Sequence, residues 1–177
     1  DEQTRFLVAE MGARGVGHIA YLCDIAPPRV GVVLNVGQAH VGEFGGQAAI
    51  ARAKGELVEA LPTDGWAVLN IDDPLVWRRR TRAQVLPWST SQPLAGGVWA
   101  SGLVGDAYGR YSFALHDGRD DQSEAVQLQL SGRHQVANAV AAAAASVAMG
   151  LELDQVAAAL AAAGPRSRWR MEMHDRS

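Results

Sequence analysis

The sequence predicts an α/β fold: a mostly parallel sheet flanked by helices, with a small antiparallel β meander. Three observations carry the prediction. In the first half, short and almost wholly apolar runs alternate with segments of helical periodicity. Over residues 97–130 the texture switches to apolar–polar alternation broken by turn sequences. Two alanine-rich helical segments then close the pattern.

Residues 5–9 (RFLVA) form the first apolar run and read as a buried strand. A glycine-rich loop spans 12–17. Residues 18–26 read as a short helix stopped by Pro27 and Pro28. Residues 30–36 (VGVVLNV) are a second strand, continuously apolar as parallel strands are. A polar loop at 37–46 follows its C-terminal end. Residues 47–61 predict a strong helix, because Ile50, Leu57, Val58 and Leu61 share one face. Residues 65–70 are a third strand, 74–82 a helix and 84–88 a fourth strand.

Residues 97–104, 110–116 and 125–130 alternate apolar and polar side chains between Gly- and Asp-rich turns, which predicts a meander with one wet face. Helices are expected at 134–149 and 153–163, divided by Gly150 and ended by Gly164-Pro165. The tail at 168–174 reads as a strand or a linker.

Composition excludes several classes. The 177 residues are 48% apolar and 20% charged, ordinary for a globular domain. A net charge of −3 supplies no general field for nucleic acid. The one basic run is Arg78, Arg79, Arg80 and Arg82. A single cysteine, Cys23, can form neither an internal disulfide nor a thiolate metal site, which fits a reducing, cytoplasmic setting. No apolar run is long enough to span a bilayer, and the polar N-terminus is not a signal peptide. The chain starts without Met and is expected to be a piece of a longer protein.

In parallel sheets, ligands bind beyond the carboxyl ends of the strands. That rule selects Glu10, residues 35–40 and residues 70–73. Glu10 ends an apolar run, an expensive place for a lone carboxylate without a cation or donors; it reads equally as an edge residue facing water. His40 lies in a Gly-flanked loop and reads as a hydrogen-bonder or, with Glu10, as a ligand for a hard divalent ion. Lys54 sits among Ala51, Ala53 and Gly55, and spacing alone reads it as a solvated helix residue. His134 and Asn138, four apart in the first turn of a helix, could face a flat polar ligand such as adenine; the alternative is capping by Ser131 or His134. Arg168 and Arg170 flank Trp169, a pairing suited to phosphate or ribose; the alternative is ordinary surface arginines. No G-x-x-x-x-G-K-[ST] loop occurs, and residues 12–17 do not fit G-x-G-x-x-G.

Taken in order, six blocks resemble the Mur ligases, most closely those of the F type: residues 9–22 (AEMGARGVGHIAYL), 34–45 (LNVGQAHVGEFG), 51–56 (ARAKGE), 68–74 (VLNIDDP), 131–138 (SGRHQVAN) and 167–172 (SRWRME). The resemblance implies that residues 1–177 are a central, P-loop-NTPase-like ATP-binding domain lacking its phosphate-loop segment. The UDP-binding N-terminal domain and the C-terminal domain would be absent. It further implies a monomeric enzyme that uses ATP and Mg²⁺ to join D-Ala-D-Ala to UDP-N-acetylmuramoyl-tripeptide through an acyl phosphate, without nucleic acid or membrane insertion; the alternatives are another Mur-type or folylpolyglutamate-type amide ligase or, for these residues alone, a catalytically inactive α/β binding module. By resemblance, Glu10 and His40 match the Mg²⁺ ligands, Lys54 a lysine that becomes carbamylated, and His134 and Asn138 the adenine contacts. Arg170 matches an arginine that reaches the nucleotide. Gln135 departs from the family pattern, which has Asn there.

Overall fold

A computed structural model describes residues 3–37 and 46–164. Its elements, in chain order, are α1 (His18–Ile25), β1 (Val30–Val33), α2 (Gln47–Glu59), β2 (Trp66–Asn70), α3 (Pro74–Trp77), β3 (Gln84–Ser89), β4 (Val98–Gly105), β5 (Arg110–Asp117), β6 (Gln122–Ser131), α4 (His134–Ala148) and α5 (Leu153–Ala162). The six strands form one sheet in sequential order. β1 to β4 run parallel, and β5 and β6 each turn back antiparallel to the strand before.

The predicted meander is therefore not a separate sheet. Trp88 and Ser89 of β3 pair with Val98 and Trp99 of β4 and carry the parallel sheet into it. The alternation along β2 shows how the two faces divide. Ala67 and Leu69 pack with Val33, Ile50, Val58, Leu61 and Val76 under α2 and α3. Val68 packs on the other side with Leu86, Trp88, Leu115 and Val126, beneath Val136, Val140 and Ala144 of α4. Ala139, Ala141, Ala143 and Ala144 of α4 are buried, and such small side chains let a helix lie close across several strands.

Two expectations need correction. Residues 5–9 are not a buried strand: Phe6 is 49% exposed, Leu7 81% and Val8 90%, and none joins the sheet. An apolar run becomes a strand only where a neighbouring edge accepts its backbone, and among the described residues none does. The helix expected over 74–82 stops at Trp77. Beyond it the arginines offer no apolar face, and Thr81 takes over the backbone by donating to Val58 O at 2.7 Å and accepting from Ala83 N at 3.1 Å. The tail at 168–174 lies outside the described residues. No helix among the described residues is long and apolar enough to cross a membrane.

Asp117 at the end of β5 is buried and receives the Arg119 guanidinium at 2.6 Å and the Arg119 backbone N–H at 3.0 Å. Burial alone would push its carboxyl up; the Arg119 bonds outweigh it and hold the group below the usual carboxylate range. A value lower in the fold than in the unfolded chain contributes stability that is complete above about pH 4 and lost as pH falls through the folded value. Asp117→Asn is therefore expected to lose less stability than the parent chain between neutral pH and pH ~3 in urea melts. Identical acid dependence of the two chains would exclude this pair as its source.

Candidate functional site

Beyond Val33, β1 has no sheet partner, yet the next three residues are held on all sides. Asn70 Nδ2 donates to Leu34 O at 2.8 Å. Lys54 Nζ donates to Asn35 O at 2.6 Å. Val36 N donates to Asp73 Oδ2 at 2.6 Å, and Gln47 Nε2 donates to Val36 O at 3.3 Å. These donors and acceptors come from the end of β2, from α2 and from the start of α3. They gather at the rim beyond the carboxyl ends of the parallel strands, where the sequence rule placed a site.

Two of the holding side chains, Asn70 and Asp73, are themselves tied down. Asn70 Oδ1 accepts from Asp72 N at 2.8 Å, so both ends of its amide are used. Asp73 Oδ1 accepts from Leu75 N at 2.9 Å and caps α3, leaving its other oxygen for Val36. Asp72 reaches β3 and accepts from Ser89 Oγ at 2.6 Å and Thr90 N at 2.8 Å. The rim is thus a hydrogen-bonded frame joining the ends of three parallel strands.

Lys54 is the cation of this frame. Burial pushes its amine below the ordinary lysine value, and the Asp73 carboxylate opposes that push in part. Two positions on, Glu56 is buried and turned the other way along α2. Its carboxylate accepts from Gly17 N, Ile19 N and Ala20 N at 2.5, 3.1 and 3.0 Å, and so caps α1. Between them, a Cβ on Gly55 would lie 3.0 Å from Arg79 Cδ, so the bare backbone there leaves room for that guanidinium arm.

α4 starts at the same rim, because β6 runs the same way as β4. Gly132 adopts φ +110°, and a Cβ there would stand 2.6 Å from the His134 ring. No side chain caps α4, so neither Ser131 nor His134 does the capping that spacing alone allowed. His134 and Asn138 are exposed, and Asn138 Nδ2 donates to Gln135 Oε1 at 3.0 Å. An open cleft of about 400 Å³ lies at the opposite end of the sheet, lined by Asp117, Arg119, Asp120 and Glu152 among others. It contains none of the candidate residues.

The expected metal set is only partly covered. Glu10 is exposed, and no ion pair joins it to Lys54. His40 and Arg170 lie outside the described residues. Among the described residues no group of three His, Cys, Asp or Glu gathers to hold an ion. Glu56 was missed in the sequence; its bonds to Gly17, Ile19 and Ala20 span 36–39 positions and leave no local signal.

Residues 1–146 match the Mur ligase middle domain. The chain is 48% identical over 176 residues to the UDP-N-acetylmuramoyl-tripeptide–D-alanyl-D-alanine ligase of Mycobacterium tuberculosis, covering 98% of this chain and 34% of that protein. It therefore spans about a third of the length of such relatives. A MurF crystal structure from Acinetobacter baumannii superposes with a TM-score of 0.79 at 32% identity, covering 93% of this chain and 36% of that one. MurF ligase of Thermotoga maritima in complex with ADP gives a TM-score of 0.72 at 28% identity, covering 88% and 35%.

Proposed function

Because the chain belongs to the Mur ligase family, whose middle domain it matches, we propose that it is the ATP-handling part of a ligase that adds D-Ala-D-Ala to UDP-N-acetylmuramoyl-tripeptide in peptidoglycan precursor synthesis. The observation that carries the choice is the 48% identity, over almost the whole chain, to a relative named for that reaction. The reaction would run in the cytoplasm, in a monomer. The UDP-binding and C-terminal domains and the phosphate-gripping loop would come from the rest of a longer polypeptide. ATP would phosphorylate the tripeptide carboxylate, the amine of D-Ala-D-Ala would attack the acyl carbon, and phosphate would leave.

The residues on the rim suit these roles. Lys54 has an amine that burial shifts toward its neutral form, the form able to take up CO₂. The resulting carbamate keeps one N–H, so the bond to Asn35 O can persist while the group changes from cation to anion. Glu10 carries an exposed carboxylate. With His40, these groups would supply oxygen and imidazole donors of the kind that hold Mg²⁺. Bound there, the ion would offset charge on the transferring phosphoryl group. His134 and Asn138 present exposed hydrogen-bonding groups at the start of α4 for adenine, and Arg170 would reach the nucleotide.

The test is phosphate release by the intact protein with the tripeptide nucleotide and a panel of amines. Release is expected only with D-Ala-D-Ala. Release with D-Glu or diaminopimelate as the sole amine would move the protein to a sibling ligase. The 177-residue chain alone lacks the G-x-x-x-x-G-K-[ST] loop and is expected to hydrolyse no ATP and to bind Mg-ATP no tighter than about millimolar by calorimetry. Micromolar binding would contradict this.

A further inference from the structure

We propose that Asn70 and Asp73 are positioning residues for this reaction: they hold the Leu34–Val36 backbone in the one path on which Lys54 can dock. The proposal rests on the amide-ligase reading of the site. Past Val33, where β1 last pairs with β2, the chain leaves the sheet, and its polar backbone groups still need partners. Four of them within three residues find side chains instead of a strand: Leu34 O, Asn35 O, Val36 N and Val36 O. Replacing a strand edge by four separate side chains makes this short path depend on the identity of each.

Asp73 shows that the arrangement exceeds what local folding requires. A helix cap needs one carboxylate oxygen, and Leu75 N occupies one. The second oxygen is spent on Val36, 37 positions earlier. Asn70 is likewise used at both ends, on Leu34 O and Asp72 N. The Asp73 carboxylate is also close enough to Lys54 to influence its charge state. Loss of either residue would free the carbonyl that Lys54 grips. Asp72 serves the β3 end instead and is the internal control.

The experiment has two arms. In the 177-residue chain, Asp73→Asn should speed amide exchange at Val36 by at least ~10-fold while Val68 and Leu69 stay protected, and Asp72→Asn should leave Val36 unchanged. In the intact ligase, Asp73→Asn should lower kcat by at least ~10-fold with KM for ATP within about twofold of the parent enzyme. Unchanged protection at Val36, or unchanged kcat, overturns the proposal. If Asp73→Asn also exposes Val68 and Leu69, Asn70→Asp decides the matter. It preserves the α3 cap and removes the donor to Leu34 O, so the same two results are expected of it and the same failures count against the proposal. An intact parent enzyme that makes no amide bond defeats the functional reading instead, and leaves the exchange arm standing.

Discussion

Lys54→Ala in the intact ligase is expected to lower kcat by about 10²–10³-fold, the size seen when one preorganised charge-stabilising group is removed from an active site. The amine is pinned at 2.6 Å to Asn35 O, and burial lowers its pKa against the partial opposition of Asp73. A lowered pKa means that the neutral share of the amine at a given pH exceeds that of a free lysine. Only the neutral amine reacts with CO₂: its lone pair forms the N–C bond, one C–O π bond opens to a carboxylate, and a proton passes to solvent. Carbamate at Lys54 should therefore form at lower pH than on an exposed lysine, detectable with ¹³C-bicarbonate by NMR. Lys54→Arg separates the two roles the nitrogen could play. It keeps a cation near Asn35 and cannot be carbamylated, so it should be as inactive as the alanine variant. Short carboxylic acids should partly restore Lys54→Ala, where space is free, and not Lys54→Arg. An active Lys54→Arg enzyme would show that the ammonium, not a carbamate, is what the reaction needs.

What could be read in the sequence divides along physical lines. The order of strands and helices was legible because parallel strands buried on both faces leave continuous apolar runs, as at Val30–Val33 and Trp66–Asn70. The same signal failed at residues 5–9, where apolar content suggested burial and Leu7 and Val8 stand in solvent. Burial depends on a partner edge, which no local pattern reports. The continuity of the meander with the parallel sheet was also hidden, since two paired residues at Trp88 and Ser89 decide it. At the site, the rule of strand ends points to the rim where Asn70, Asp73 and Lys54 meet residues 34–36, but spacing assigned Lys54 to solvent. Its docking on Asn35 is a contact between residues 19 apart, made possible by the return of α2 along β1. Asp73 caps α3 through Leu75 N, and its second bond, to Val36, joins residues 37 positions apart and leaves no local sequence trace.

Glu56→Ala is expected to destabilise the chain by about 2–4 kcal/mol, since hydrogen bonds to a charged group contribute ~1.5–3 kcal/mol each and solvent recovers part of the loss. α1 has eight residues, starts at Gly17 and has no capping side chain of its own. The first N–H groups of any helix lack internal partners. Here Glu56 supplies the acceptor for three nearby backbone groups, and its negative charge lies at the positive end of the helix dipole. Ile19 N is buried, so its orphaned donor would stay costly. Glu56→Gln keeps one oxygen and should cost roughly half as much. Urea melts followed by circular dichroism measure both, and an alanine variant within about 0.5 kcal/mol of the parent would show that water replaces the carboxylate. The consequence reaches the rim, because Glu56 and Lys54 leave α2 on opposite sides two residues apart. One anchors α1 and the glycine loop after Glu10, while the other grips the exit of β1. Freeing α1 should therefore leave the Lys54–Asn35 bond in place and unsettle the Glu10 side of the site. In the intact ligase that predicts a higher Mg²⁺ concentration for half-maximal turnover in Glu56→Gln at unchanged carbamate content on Lys54; loss of the carbamate signal would place the two sides of α2 in one cooperative unit instead.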